Sequence, residues 1–354
     1  MSPGIQDAFN MHKTPANEES EKPVFVIDVA IVRDNVKKFI GSWESTGKVS
    51  IVHFSAVKAC ADTPVMDVYD DLECNFDCAS KGSLSQIEKI LQASHKVSEL
   101  GDRDVTTVLA ELKPFCRLVS SSKGSDKPFS NHFGVEAELA LEIIEKAKSG
   151  GLTFVGLSGH PGTQNLAKDA FVHFAKLFRG VFDRVKEELS IKMEIANIGG
   201  GWAGISTKDA PSFTDYNKTT MDAFSSVFVG WESTLTVMTE PGRCLISNAG
   251  WLQTHVINIS SPSSSTDLRR VCLSAGTHHG LKEASKISFE WHTCHPRGTT
   301  APCVLYEPTC DSDDIILGRD ANGNERTIDL PLELKVGELV WIYGPKRTTP
   351  RLRI

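Results

Sequence analysis

Residues 136–201 read EAELALEIIEKAKSGGLTFVGLSGHPGTQNLAKDAFVHFAKLFRGVFDRVKEELSIKMEIANIGGG, and their order of patterns decides the fold. Glu136 to Lys148 has helical spacing, with Leu139, Ile143, Ile144 and Ala147 on one face and Glu142–Lys146 placed as an i,i+4 ion pair. Gly150-Gly151 stops that helix, and Leu152 to Ser158 reads as a strand. Ala167 to Leu189 is a second, longer helix, with Phe171, Phe174, Phe178, Val181, Phe182 and Val185 forming its apolar face. Ile191 to Ile198 is the next strand. Strand, helix and strand in alternation imply parallel βα units.

The same alternation extends outward. Upstream lie strand patterns at Val24–Val29, Val49–Val57 and Cys74–Cys78, and helical patterns at Ile31–Phe39 and Ser83–Leu91; Leu235–Thr239 is a strand downstream. Polar residues stand where strands end: Lys58, Asp77, His160, Gly199-Gly200-Gly201 and Glu240. Functional groups at strand C-termini suit a βα barrel with its site on that face, and a doubly wound sheet gives a similar pattern. Beyond Leu245 helical spacing fades and short strands follow, among them Trp251–Ile259, Val271–Leu273 and Leu339–Ile342. The expected organisation is a disordered leader (1–22), a β/α barrel (23–245) and a mostly β domain (246–354). The first strand is free to join either folded part.

The chain has 354 residues and a formal net charge of −7, with 38 Lys and Arg against 45 Asp and Glu. That balance argues against a general nucleic-acid binder, whose footprint is basic. No apolar run reaches the ~18 residues of a membrane span, and the polar start has no secretory h-region. Nine scattered cysteines, an odd number in a long chain, read as reduced thiols, which makes the cytoplasm the expected compartment.

Several residues invite chemistry, and each also has an ordinary structural reading. Three glycines after Ile198 allow backbone N–H groups to converge on a phosphate, or simply make a tight turn. Glu240-Pro-Gly-Arg243 offers a carboxylate and a guanidinium at a strand end, or a surface ion pair. Lys58 is either a charge reaching solvent or an amine able to form a Schiff base. His160 either stacks on a flat ligand or is a structural histidine. His292, Cys294 and His295, with Cys303 and Cys310 downstream, fit no zinc spacing, so no metal is expected.

Taken in order, these stretches resemble the fold-type III pyridoxal-phosphate decarboxylases, the ornithine and lysine decarboxylase branch in particular. The matching pieces are Phe54-Ser-Ala-Val-Lys58, Phe76-Asp-Cys-Ala-Ser-Lys81, His132-Phe-Gly134, Gly159-His-Pro-Gly-Thr163, Ile198-Gly-Gly-Gly201, Glu240-Pro-Gly-Arg243 and Pro308-Thr-Cys-Asp311. The resemblance implies an alanine-racemase-like barrel, a C-terminal β domain and a homodimer with shared sites. It makes Lys58 the lysine that carries pyridoxal phosphate, with Asp77 and Arg117 organising the site beside it. By the same resemblance His160 stacks on the pyridine and Glu240 pairs with its nitrogen. Thr163, Gly199, Gly200, Gly201, Gly242 and Arg243 bind the phosphate side. Cys310 resembles the thiol that reprotonates the product from the partner subunit. Asp311 resembles the carboxylate that meets a distal ammonium, which favours ornithine or lysine as substrate.

The sequence also departs from that pattern. Between Lys81 and His132 it is shorter by about one βα unit. Asn197 stands where an aspartate is usual, Ser83 where a glutamate is, Ser274 where an aspartate is, and His278 where an aromatic is. After Val340-Trp-Ile-Tyr-Gly344 the expected Gly-Ala-Tyr segment gives way to Pro345–Ile354, so a phosphate-binding tyrosine and closing strands are expected to be missing. The alternatives are a decarboxylase of a modified amino acid, an impaired homologue acting through partners, an incomplete gene product, and a phosphate-binding barrel enzyme without the cofactor.

Overall fold

The computed structural model describes residues 22–43, 49–80, 113–121, 123–125, 133–204, 209–231, 234–262, 268–277, 280–281, 284–285, 289–295, 298–309, 311 and 314–344, together with residues 82, 85 and 87. The chain divides into two units, Val32–Ile246 and a second made of Met1–Ile31 with Ser247–Ile354. Strand β1 (Val24–Ile27) and the start of helix α1 (Val29–Gly41) come first. Helix α1 buries Val32, Asn35, Val36 and Phe39, the i, i+3, i+4, i+7 spacing that a single packed face requires.

The Val32–Ile246 unit alternates strands and helices. They are β2 (Ser50–Ala56), α2 (Thr63–Asp71), β3 (Asn75–Asp77), β4 (Phe115–Arg117), α3 (Ala137–Ser149), β5 (Gly156–Ser158), α4 (Val172–Leu189), β6 (Ile195–Asn197), α5 (Phe213–Val227), β7 (Thr236–Thr239) and the single turn α6 (Arg243–Ile246). The sheet order is β3-β2-β7-β6-β5-β4 and all pairs are parallel. This order separates the two architectures left open by the sequence. A doubly wound sheet reverses direction at a switch point, whereas here β4 to β7 run in sequence and β7 returns to β2, as in a ring. The ring is open between β3 and β4 among the described residues, and the segment at 88–112 that connects them lies outside those residues.

The barrel strands are shorter than their apolar runs, since residues 152–155 and 191–194 lead into β5 and β6 without regular structure. Gly156 is required for the β5–β6 contact, since a Cβ there would lie 2.0 Å from the carbonyl oxygen of Ile195. Helix α4 buries Phe174, Phe178, Val181, Phe182 and Val185 as its spacing predicts, while residues 168–171 form turns. Helix α3 departs from the expected face: Ala140, Leu141 and Ile144 are buried, and Leu139 and Ile143 are exposed. Its Glu142 and Lys146 are exposed and make no ion pair among the described residues, in keeping with the small free energy such pairs carry in water. The helix expected at Ser83–Leu91 lies almost wholly outside the described residues. Phe178 is fully buried, so Phe178→Ala should lower unfolding free energy by about 3–5 kcal/mol, read as a shift of the urea midpoint.

The second unit is a sheet of seven strands: β1, β8 (Gly250–Ser260), β9 (Arg269–Leu273), β10 (Glu290–Thr293), β11 (Thr300–Tyr306), β12 (Ile328–Pro331) and β13 (Leu339–Tyr343). Its order is β10-β13-β8-β9-β11-β12, with β1 also pairing antiparallel to β8. Leu252, Val256, Val271, Leu273, Leu305, Val340 and Ile342 supply its core.

Candidate active site

Each strand of the barrel delivers one polar group to its C-terminal end. Lys58 follows β2 in a short turn (Val57–Ala59), Asp77 closes β3, Arg117 closes β4, and His160 lies two residues beyond β5. Asn197 closes β6 and leads into the three glycines, and Glu240 follows β7. Parallel strands in one barrel end on the same rim, so these groups share a rim because of topology.

The amine of Lys58 stands 3.9 Å from the Asp77 carboxylate, and its side chain is 66% exposed. A lysine on a strand end, reaching open space and only loosely paired, is available for chemistry. Glu240 is largely enclosed. Its Oε1 accepts a 2.7 Å hydrogen bond from the Asn197 side-chain amide, and its backbone N–H donates to Gly199 O. Burial raises its pKa, the Asn197 bond opposes that rise, Asp77 adds to it, and Lys58 and Arg117 lower it.

His160 is held as a neutral ring. Its Nδ1 accepts from the Gly162 N–H at 3.0 Å, which places the ring proton on Nε2. Burial, then the charges of Arg117 and Lys58, push its pKa down to about 3. Arg117 lies over the Phe133 ring at 5.0 Å, and burial lowers its pKa while Glu240 raises it.

The glycines allow close approach. A Cβ on Gly199 would sit 2.4 Å from Gly159 O, one on Gly200 2.6 Å from Glu240 O, and one on Gly201 2.5 Å from Gly162 O. Gly199 and Gly201 also have φ of 68° and 119°, which L side chains disfavour. Among the described residues none accepts a hydrogen bond from the N–H of Gly200 or Gly201, so both donors remain for a ligand. Thr163 lies in the loop beyond His160, its carbonyl accepting from Ser125. A Cβ on Gly242 would lie 3.1 Å from the β-carbons of Ala56 and Ala59, and Arg243 begins α6.

The sequence-stated residues Lys58, Asp77, Arg117, His160, Thr163, Gly199, Gly200, Gly201, Glu240, Gly242 and Arg243 all lie at the C-terminal ends of strands of one unit. Asp311 lies in the other unit, exposed, in a turn where its N–H donates to Thr309 Oγ1. Cys310, Lys81, His132, Ser83 and His278 lie outside the described residues. Asn197 registers in the sequence only as a departure, although it touches Glu240 directly.

In the other unit, Cys294, His295 and Glu338 bring one ligand-type atom each within 4.8 Å of the others. His295 and Glu338 are joined at 2.9 Å, and Glu338 also accepts from Lys335 N–H. Cys294 is exposed, and burial with the nearby Glu338 charge raises its thiol pKa. His292 is not in this group, and Cys303 is buried in β11.

Comparison with known proteins agrees with this arrangement. The family model of the pyridoxal binding domain of pyridoxal-dependent decarboxylases matches residues 103–247. A probable ornithine decarboxylase of Dictyostelium discoideum is 24% identical, the match covering 90% of this chain and 73% of that protein. Among solved structures, the arginine decarboxylase of Paramecium bursaria Chlorella virus, bound to agmatine, aligns with a TM-score of 0.77 at 21% identity. That alignment covers 99% of this chain and 95% of the other. The lysine/ornithine decarboxylase of Vibrio vulnificus, complexed with cadaverine, also aligns at 0.77 with 20% identity, covering 99% and 96%. With its ring of parallel strands and separate β unit, the chain shares the fold of these decarboxylases, and its residues 103–247 match the pyridoxal binding domain of pyridoxal-dependent decarboxylases.

Proposed function

We propose that this protein removes the α-carboxyl group of a basic amino acid, of the ornithine or lysine type, as CO2 and releases the amine, using pyridoxal phosphate. The observation that carries the reading is the joint presentation, on one rim, of an accessible lysine, an enclosed carboxylate and a neutral histidine. Those are the residue types that a pyridinium ring with an aldehyde and a phosphate requires.

The rim fits that group by its own geometry. The N–H groups of Gly200 and Gly201 supply donors for a phosphate, and the missing β-carbons keep the backbone close. Lys58 would anchor the group through its amine, and Arg243 would add positive charge on the phosphate side. His160 would lie against the ring face, its neutral state adding no charge that repels a pyridinium. Glu240 would receive the ring N–H on the oxygen that Asn197 leaves free. When bound, pyridoxal phosphate supplies an electron sink for the pair left on Cα as CO2 departs. Glu240 supports that role by holding a proton at the ring nitrogen. The broken Cα–carboxyl bond is then replaced by a Cα–H bond, and Cys310 is the proposed proton donor. Asp311 is the proposed partner of the distal ammonium.

A homodimer acting in the cytoplasm, with a place in polyamine biosynthesis, completes the proposal. Among the described residues no helix is long and apolar enough to cross a membrane. Purified protein supplied with pyridoxal phosphate should release CO2 and the matching amine from ornithine, lysine or arginine. Full cofactor binding without amine from any of the three would overturn the substrate assignment. Failure to bind the cofactor at all would favour a partner-binding homologue. Gly200→Ala, whose Cβ would meet Glu240 O at 2.6 Å, should cost about 1–3 kcal/mol and weaken cofactor binding by at least about tenfold, measured by titration.

A further inference from the structure

Asn197 is tied to three neighbouring strand ends at once. Its backbone carbonyl accepts from Gly159 N–H at 2.9 Å, beyond β5. Its side-chain Oδ1 accepts from Gly199 N–H at 2.8 Å, and its Nδ2 donates to Glu240 Oε1 at 2.7 Å, beyond β7. The side-chain orientation follows from chemistry. Gly199 offers only a donor, so the amide oxygen must face it, and the NH2 is left to face the carboxylate. Asn197 is also buried, at 5% exposure, which removes water as a competing partner.

We infer that Asn197 is a positioning residue that keeps Glu240 ionised and leaves its second oxygen, Oε2, for the cofactor's ring nitrogen. This inference rests on the decarboxylase reading for the identity of the group, though the Asn197–Glu240 pair can be tested without it. Two properties of the amide matter. It is a permanent donor, so it favours the charged form of a buried carboxylate at every pH. It also carries no charge of its own, so it adds no second anion to an enclosed site.

An aspartate at position 197 has a different chemistry. Its oxygen would lie within hydrogen-bond distance of Glu240, and the two carboxyl groups would share a proton. The pair then titrates as a unit, and the donor is lost when the shared proton leaves. The amide removes that dependence. The other charged groups that act on Glu240 come from neighbouring strand ends: Lys58 beyond β2, Asp77 on β3 and Arg117 on β4; His160, beyond β5, feels the same Arg117 and Lys58. Lys58 and Arg117 favour the ionised carboxylate and Asp77 opposes it, each through charge alone, whereas Asn197 acts through a direct hydrogen bond.

The test compares the parent with Asn197→Ala and Asn197→Asp in two measurements. The first needs no cofactor: urea unfolding of the full chain at pH 5 and pH 7. Without its donor, Glu240 keeps a proton to higher pH, so the folded state gains less from alkaline conditions. Asn197→Ala should therefore lower the urea midpoint more at pH 7 than at pH 5. The second is a titration of pyridoxal phosphate at pH 6, 7 and 8. The parent should bind with nearly constant affinity, whereas Asn197→Ala should bind about tenfold more weakly at pH 6 than at pH 8. Asn197→Asp should recover the parent affinity at pH 6, where the shared proton replaces the amide donor.

A loss that is equal at all three pH values, with no recovery by Asn197→Asp at pH 6, would mean a purely structural role and would overturn the inference. So would an Asn197→Ala midpoint shift that is the same at pH 5 and pH 7. Absence of cofactor binding by the parent would sink the decarboxylase reading instead, and the unfolding measurement would still decide the pair.

Discussion

Lys58→Ala is expected to abolish the long-wavelength absorption of lysine-linked pyridoxal phosphate and to cut amine release by about a thousandfold or more, roughly 4 kcal/mol of transition-state stabilisation. The reason lies in what the side chain offers. Its amine is 3.9 Å from Asp77, too far for a tight ion pair, and it follows directly on a strand end of the rim. A lysine engaged in structure would be expected to lose exposure; this side chain is 66% exposed. Removing it should therefore change stability little, and the urea midpoint should stay close to the parent's. Lys58→Arg separates charge from nucleophilicity. Arginine keeps the positive charge beside Asp77 but is not deprotonated in proteins. If charge alone mattered, Lys58→Arg would retain most activity; the covalent role requires that it fail as completely as Lys58→Ala. Partial recovery of Lys58→Ala by a small free amine added to the solution would support the same conclusion.

Why the rim was readable before the structure is a question of local against distant interactions. Strand-end residues such as Lys58, His160 and Glu240 follow apolar runs directly, so their positions on a parallel barrel are set by their own neighbours in sequence. The bond from Asn197 to Glu240 spans 43 positions and has no local signal. Only a departure from the resembled pattern marked the residue. The neutral state of His160 was equally hidden, because it depends on burial and on Arg117 and Lys58 approaching from other strands.

Two helical features escaped the hydrophobic pattern for different reasons. Helix α5 buries Asn217 and Thr220 along with Tyr216, Met221 and Phe224, so polar residues interrupt its apolar stripe. The structure satisfies them: Trp202 Nε1 donates to Asn217 Oδ1, Asn217 Nδ2 donates to Ser42 Oγ, and Thr220 Oγ1 donates to Tyr216 O. The start of α5 was legible in principle, since Ser212 and Asp215 form a capping box. Helix α3 shows the converse. Leu139 and Ile143 count as apolar in any periodicity, yet the helix turns Ala140 and Leu141 inward. Periodicity identifies a helix; which of two overlapping apolar faces is buried depends on neighbouring elements.

Acidification from pH 7 to pH 5 should destabilise the barrel through its buried histidines. Three histidines inside it are pushed toward the neutral form, His53 and His160 furthest, with His173 shifted the same way by burial. Burial takes His53 down to about 4, and burial with Arg117 and Lys58 takes His160 down to about 3. In the unfolded chain both titrate near 6.5, so between that value and about 4 the unfolded state binds protons that the folded state refuses. The stability they contribute is present above pH 6.5 and is lost as pH falls through the window. From pH 7 to pH 5 each should cost about 2 kcal/mol. Glu240 acts in the opposite direction, because its raised pKa lets the folded state keep a proton above 4.5, and this offsets part of the loss. His53 allows the two contributions to be separated without touching the rim. Its Nδ1 is 2.8 Å from Thr239 Oγ1, and its ring packs edge-on to Phe39. Asparagine can keep a polar atom near the Nδ1 position but cannot take up a proton. His53→Asn should therefore lose some stability at pH 7 through reduced packing, while its urea midpoint falls distinctly less steeply than the parent's between pH 7 and pH 5. A slope equal to the parent's would show that His53 is already charged in the folded state, and that its bond to Thr239 excludes no proton.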